Sequence, residues 1–234
     1  MRNGQFAAIA FLGLASLITP AVAASNTDAI RLTSGATTIT VTDNGGLDLN
    51  PAVGTTTYAN SDLNGWNISI TSGTSNSPGL TPFGLDLTSL TATCAPGGLC
   101  ATNPLHILYS DINFATAVGV NAFTTTYSST QTGSGTTSMS AFFSNSDALF
   151  AESSLIGTVG PFSSSSAGSA TGGAVAAVPL YSLTLDQTFS DATGGSVSFS
   201  VDGNITAVPE PASLALFGTA LIGLGALRRR RKSV

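Results

Sequence analysis

The two cysteines are the clearest candidates for chemistry in this chain. Cys94 and Cys100 are its only cysteines, and the Pro-Gly-Gly turn between them can bring the two sulfur atoms together. A cysteine pair outside the cytoplasm is normally oxidised, so we predict a disulfide whose short loop stabilises the fold locally by about 2 kcal/mol. The spacing is not Cys-x-x-Cys and the chain has 1 histidine, which argues against a metal or redox centre. We expect no cofactor.

The single histidine, His106, is the next candidate for chemistry. A Ser-His-Asp triad needs one histidine, and Asp111 follows five residues later, so the composition alone permits a triad. Residues 168–172 have the glycine frame of a nucleophile elbow, but Ala170 stands where the serine is required. We therefore predict that His106 is a strand or surface residue, that the chain has no catalytic residue and that it is not an enzyme.

Carboxylates near turns are the remaining ligand-type residues. Secreted sandwiches can bind Ca²⁺ through such oxygens, but the chain shows no EF-hand or repeat-type calcium spacing. We expect no metal site and interpret these residues as turn formers on a solvated surface. A glycosidase pair is disfavoured because Glu152 is the only glutamate of the central region. The aspartates concerned are Asp43, Asp48, Asp186, Asp191 and Asp202.

Charge is scarce in this chain and unevenly distributed. The 234 residues include 12 acidic and 7 basic side chains, so 8% are charged, against about 25% in an average soluble domain. Serine and threonine together occupy 63 positions. Between Ala24 and Pro209 the only basic residue is Arg31, against 11 acids. A body without lysine and with one arginine excludes nucleic-acid binding, a P-loop and a Schiff-base lysine.

The elements that must position these residues are strands. Runs such as Thr38–Thr42 and Trp66–Thr71 alternate apolar with polar residues, which predicts half-buried strands. Asp43–Gly46 predicts a hairpin turn. We predict an all-β fold, a single antiparallel β-sandwich that is jelly-roll-like, with about eight to ten strands over residues 24–207. The uncharged, serine- and glycine-rich residues 153–178 predict a low-complexity loop.

The N-terminus is predicted to be a targeting signal rather than part of the fold. A short positive segment comes first, residues 6–18 are apolar, and small residues occupy positions 21–24. This pattern predicts a secretory signal peptide over residues 1–23 that signal peptidase removes. The apolar run is too short to be a membrane anchor.

The C-terminus shows a second signal in three parts. The first is Val208, Pro209, Glu210 and Pro211, and the last is the basic run Arg228, Arg229, Arg230, Arg231 and Lys232. Between them, residues 212–227 carry no charge. As a helix they are about 24 Å long, slightly short of a hydrocarbon core of about 30 Å, and snorkelling arginines make up the difference. We predict a transmembrane helix whose basic end stops transfer and stays cytoplasmic.

These three parts, in this order, resemble the PEP-CTERM sorting signal, and the resemblance covers residues 208–234. The same tail is also labelled an ice-binding protein C-terminal domain, a name that does not show ice binding. The resemblance implies a Gram-negative bacterium that makes exopolysaccharide. It also implies processing at Pro-Glu-Pro by an exosortase, a membrane cysteine protease or transpeptidase. In that case the exosortase recognises residues Val208 to Pro211, and these residues have no catalytic role.

The sequence therefore indicates the location of the protein more directly than its activity. We expect an exported protein that passes through the inner membrane and reaches the cell surface or extracellular matrix. There it is structural or adhesive in an exopolysaccharide biofilm, with extracellular polysaccharide as its expected partner. One alternative is a carbohydrate-binding module, which predicts exposed aromatics among Tyr58, Trp66, Phe83 and Tyr109. A second is an extracellular hydrolase, which predicts a pocket that gathers His106 or several carboxylates.

The disulfide is directly testable by intact mass spectrometry of the unreduced exported protein after treatment with iodoacetamide. We expect no alkylated thiol, because Cys94 and Cys100 are bonded to each other. After reduction, both cysteines should take up the reagent. Two alkylated thiols before reduction would contradict the prediction.

Overall fold

The computed structural model describes residues 27–75, 84–115, 120–172, 180–191 and 195–209, together with residues 219 and 222. The predicted signal peptide, residues 1–23, lies outside the described residues. So does the predicted membrane helix, residues 212–227, apart from Thr219 and Ile222. Within the described part of the chain, no helix is long and apolar enough to cross a membrane.

The described chain consists almost entirely of strands. In chain order they are β1 (Ala29–Ser34), β2 (Thr37–Thr42), β3 (Thr55–Leu63), β4 (Trp66–Ser75), β5 (Gly84–Cys94), β6 (Leu105–Ala115), β7 (Val120–Thr132), β8 (Gly135–Ser144), β9 (Ser154–Phe162), β10 (Ser166–Gly172), β11 (Leu180–Asp191) and β12 (Val197–Pro209). A single 3-10 turn, Leu99–Ala101, precedes β6.

The strands form two six-stranded sheets that pack face to face. Sheet I has the order β2-β1-β6-β11-β8-β9, and sheet II has the order β10-β7-β12-β5-β4-β3. Every strand pair within these sheets is antiparallel. The predicted antiparallel β-sandwich is confirmed, with more strands than the sequence indicated.

Aromatic side chains join the two sheets across the core. Phe189 of sheet I meets Phe199 of sheet II with ring centroids 5.2 Å apart, and Phe199 also lies 6.3 Å from Trp66. Tyr181 and Phe123 form a second contact of this kind at 5.8 Å. All five are buried, and burying one such side chain stabilises the fold by roughly 1.5–3 kcal/mol.

The prediction of a loop over residues 153–178 is wrong for most of its length, because β9 and β10 occupy it. These edge strands lie in different sheets and cross closely, so they need small residues where they meet. A Cβ added at Gly157 would lie 2.5 Å from the Cβ of Ala170, and one at Gly168 would lie 2.7 Å from Val159. At Gly157 and Gly168 the absence of a side chain is therefore a packing requirement.

The hairpin predicted at Asp43–Gly46 is also wrong. β2 belongs to sheet I and β3 to sheet II, so the residues between them cross from one sheet to the other. Asp43 and Asp48 hold this crossing: Asp43 Oδ2 accepts from the Gly54 amide at 2.7 Å, and Asp48 Oδ1 accepts from the Thr57 amide at 2.8 Å. A two-residue hairpin occurs instead between β3 and β4, where Asn64 and Gly65 both have positive φ.

The predicted disulfide between Cys94 and Cys100 is present, and both cysteines are buried. It ties the end of β5 to the 3-10 turn before β6. Nearby, the indole nitrogen of Trp66 donates to the Asn103 carbonyl at 2.8 Å. The disulfide and this hydrogen bond fix the chain where it leaves sheet II for sheet I.

A buried acidic network lies where β1, β3 and β6 meet. Asp28 Oδ2 accepts hydrogen bonds from Thr56 at 2.6 Å and from Tyr109 at 3.1 Å, whereas its Oδ1 is buried without a hydrogen-bond partner. Burial raises the pKa of Asp28 from 3.8 to about 7. The charges of Asp43 and Asp111 act in the same direction, while the bonds from Thr56 and Tyr109 oppose the shift.

This network predicts a pH-dependent stability. Because the pKa of Asp28 is higher in the folded than in the unfolded state, its stabilising contribution is complete below about pH 4 and is lost as the pH rises to about 7. Asp28→Asn has no such component. Its free energy of unfolding relative to wild type should rise by roughly 2–4 kcal/mol between pH 4 and pH 8, measured by urea unfolding.

Asp62→Asn is the matched control, because it makes the same change at an exposed position of β3. A change at this exposed position should not reproduce the rise that Asp28→Asn shows. A constant difference for Asp28→Asn would contradict the account of a buried, protonated Asp28.

Candidate functional site

An open depression lies on the outer face of sheet I. Its volume is about 500 Å³. Its lining combines a cation, an imidazole, two carboxylates, two hydroxyls and one aliphatic side chain: Arg31, His106, Asp186, Glu152, Thr33, Thr38 and Leu108. These residues come from β1, β2, β6, β11 and the β8–β9 connection.

Strand register explains why these residues meet. Arg31 of β1 pairs with Leu108 of β6, and Leu108 pairs with Asp186 of β11, so the three share one row across the sheet. Thr33, His106 and Thr188 form the neighbouring row in the same way. Alternate residues along a strand point to opposite faces of the sheet.

His106 is half-exposed on β6, as predicted for a strand residue. Its Nδ1 lies 3.7 Å from Asp186 Oδ1 and 3.4 Å from Thr188 Oγ1. The nearby carboxylate of Asp186 raises the pKa of His106, and partial burial acts in the opposite direction. Both partners approach the same ring nitrogen, whereas a nucleophile–histidine–acid relay needs opposite nitrogens. The geometry is therefore not that of a triad.

The other parts of a triad that the sequence permitted lie elsewhere. Asp111 is buried in the acidic network, where it accepts from Thr27 and Ser75 at 2.6 Å each. Burial raises the pKa of Asp111, and these two bonds oppose the shift. Ala170, at the serine position of the elbow-like motif, lies on edge strand β10.

Arg31 is held over an aromatic ring beside the depression. Its guanidinium carbon lies 4.4 Å from the centroid of Phe150, a cation–π geometry. Phe150 has a positive φ of 59° and donates its amide to Ser110 Oγ at 3.0 Å, which fixes the ring in place. Within the described part of the chain, no carboxylate lies within 4.0 Å of Arg31.

The depression contains two carboxylates, Asp186 and Glu152, whose oxygen atoms can accept hydrogen bonds. Asp186 Oδ1 is buried and has no hydrogen-bond partner. Glu152 is exposed, and its pKa is raised by partial burial and by the charge of Asp186, while Arg31 and His106 oppose the shift. The arrangement therefore offers acceptors from the carboxylates and donors from Arg31 on one surface.

One of the aspartates that the sequence singled out, Asp191, lies within a group of potential metal ligands. Among the described residues, three potential ligand groups come together at Cys94, Cys100 and Asp191, where the two sulfurs are bonded to each other. Asp186 lies in the depression, and Asp202 accepts from the Ser89 amide at 2.6 Å on the opposite sheet.

Three of the four aromatic residues that could form a carbohydrate-binding surface are buried. Tyr58, Trp66 and Tyr109 are buried in the core, and Phe83 lies outside the described residues. Sequence reasoning missed the group formed by Arg31, Phe150, Glu152 and Asp186. The feature that could have indicated this group is Arg31, the only basic residue of an acidic body. Carboxylates are expected near such a cation.

The C-terminal signal begins on the last strand of the sandwich. Val208 pairs with Ala122 and Pro209 with Val120, so β12 continues into the first residues of the motif. Glu210, Pro211 and the basic residues Arg228, Arg229, Arg230, Arg231 and Lys232 lie outside the described residues.

Solved structures that resemble this chain do so at low sequence identity. The adhesin domain of Epf from Streptococcus pyogenes has 11% identity and a TM-score of 0.40, covering 80% of this chain and 60% of its own. TmCBM61 in complex with β-1,4-galactotriose has 8% identity and a TM-score of 0.30, covering 61% and 88%. The bacteriophage CBA120 tailspike protein 4 enzymatically active domain has 14% identity and a TM-score of 0.31, covering 64% and 22%. The chain thus spans less than two thirds of the adhesin and tailspike domains.

No curated protein matches the chain. The PEP-CTERM protein-sorting motif matches residues 207–231, at the end of β12 and beyond it. The match agrees with the three-part pattern of the sequence, from Val208 through the uncharged segment to the arginine run. The chain therefore carries a PEP-CTERM protein-sorting motif, which marks it as an exported protein processed by an exosortase.

Proposed function

We propose that this protein is a structural or adhesive component of the extracellular matrix or cell surface, in a Gram-negative bacterium that makes exopolysaccharide. Signal peptidase removes residues 1–23, residues 212–227 hold the intermediate in the inner membrane, and an exosortase cuts at the Pro-Glu-Pro. The observation that carries the proposal is the sorting motif at residues 207–231, directly after a sandwich.

The position of the motif suits this route. β12 ends at Pro209, so a cut between Pro209 and Pro211 leaves all twelve strands in the released body. The predicted boundary between the body, residues 24–207, and the sorting signal, residues 208–234, lies two residues before the end of β12, so a cut after Pro209 keeps the whole strand with the body. A cut elsewhere in β12 would break its pairing with β5 and β7 in the middle of sheet II.

The surface chemistry of the body also suits a hydrated matrix. Between Ala24 and Pro209 it has one basic residue, Arg31, and 11 acids. An acidic, lysine-free surface is repelled by anionic lipid and stays soluble among polysaccharides. A structural or adhesive role needs a stable, hydroxyl-rich sandwich and no catalytic group.

A hydrolase is the less well supported alternative. The depression does gather His106 with Asp186 and Glu152, as that alternative requires. His106, however, lacks the geometry of a relay, and we propose a non-catalytic role. Release of reducing ends from a polysaccharide by the purified protein would favour the hydrolase instead.

The sorting route predicts dependence on both exosortase and Glu210. With a C-terminal epitope tag, the chain should lose the tag and leave the membrane fraction when an exosortase is co-expressed. Glu210→Gln should reduce this processing at least about tenfold, the size expected if a charged hydrogen bond to the protease is lost. The measurement is the ratio of tagged to untagged protein in membrane and extracellular fractions.

Asp62→Asn makes the same carboxylate-to-amide change on exposed β3 and should be processed like wild type. Cells without an exosortase should keep the tagged chain in the inner membrane. Equal tag loss with and without the exosortase would refute the route.

A further inference from the structure

The depression on sheet I presents hydrogen-bonding groups that the protein itself leaves unused. The Asp186 side chain is 21% exposed, and its Oδ1 faces His106 Nδ1 at 3.7 Å, beyond hydrogen-bond distance. Arg31 stacks on Phe150, and such stacking leaves the edge of the guanidinium, with its fork of N–H donors, free for a ligand. A charged donor and a charged acceptor thus face the same depression without a direct hydrogen bond between them, and a ligand with hydroxyl groups can bridge them.

The mixture of charges selects the chemical class of that ligand. An anionic ligand attracted by Arg31 would also face the carboxylates of Asp186 and Glu152. A cation attracted by these carboxylates would face Arg31 and His106, whose pKa is raised by Asp186. A neutral hydroxyl avoids both conflicts because it donates to a carboxylate and accepts from a guanidinium.

The shape of the site agrees with a sugar rather than a small alcohol. The volume of about 500 Å³ falls within the range of about 300–1,000 Å³ of small-molecule sites. Leu108 is almost fully buried in the floor, between Arg31 and Asp186 in the same row. With 6% of its surface exposed, it separates a donor and an acceptor that lie one strand away on either side. Thr33 and Thr38 add hydroxyls at the rim.

We propose that this depression binds a segment of neutral polysaccharide, with Arg31 donating to and Asp186 accepting from neighbouring sugar hydroxyls on either side of Leu108. Glu152 and His106 complete the polar rim. The inference deepens the proposed function, on which it rests for the presence of polysaccharide around the protein. It assigns adhesion to a defined site on sheet I.

The test is affinity electrophoresis of the full chain in native gels that contain dextran, galactan or mannan, with alginate as the anionic polymer. A detergent without a sugar headgroup keeps the tail soluble without competing for the site. At least one neutral polysaccharide should retard the protein. Arg31→Ala and Asp186→Asn should each weaken that retardation about tenfold, because each removes a hydrogen bond to a charged group.

Two controls separate binding from folding. Asp202→Asn changes a carboxylate on the outer face of sheet II and should bind like wild type. Arg31→Lys keeps the charge but loses the planar fork, so it should bind as weakly as Arg31→Ala. Near-ultraviolet circular dichroism of each variant reports whether the aromatic core is intact.

The proposal is overturned if none of the three neutral polymers retards the protein, if alginate alone does so, or if folded Arg31→Ala and Asp186→Asn bind like wild type. These results are independent of processing by the exosortase. A protein that is processed but binds none of the polymers would refute the site alone, and one that binds but is never cut would refute the sorting route alone.

Discussion

The register of β1, β6 and β11 in sheet I is the constraint on which the rest of the structure depends. The same pairing that turns Ile30, Tyr109 and Leu185 into the core turns Arg31, Leu108 and Asp186 outward into one row. A slip of one residue in either pairing would exchange the two faces and bury a charge. Packing of the core and composition of the surface site are therefore set by a single arrangement.

Scarcity of charge makes that arrangement informative. In a body with one arginine, the position of the guanidinium is a specific feature rather than one of many solvated cations. Arg31 lies over Phe150 and shares a depression with Glu152, Asp186 and the only histidine. Most other acids serve the fold: Asp43 and Asp48 hold the crossing between sheets, and Asp28 and Asp111 are buried with hydroxyl partners.

Local patterns predicted what depends on local chemistry. Period-two alternation identified the all-β sandwich, the turn between Cys94 and Cys100 identified the disulfide, and Val208 to Lys232 identified the sorting signal. The prediction of a loop over residues 153–178 is wrong because a glycine- and serine-rich strand has the same composition as a linker. Only its pairing with another strand distinguishes the two. The hairpin at Asp43–Gly46 was wrong because a turn signal does not say which sheet the next strand joins. The depression depends on strands distant in sequence, so the sequence offered only one indication of it, the lone Arg31 in an acidic body.

The central claim is that the functional form of this protein is a sandwich freed from its C-terminal signal. The most direct measurement is the sequence of the C-terminal peptide of the protein recovered from the surface or medium of producing cells, by tandem mass spectrometry. The account predicts a new terminus between Pro209 and Pro211, immediately after β12. Recovery of the extracellular protein with Val234 still at its terminus would contradict it.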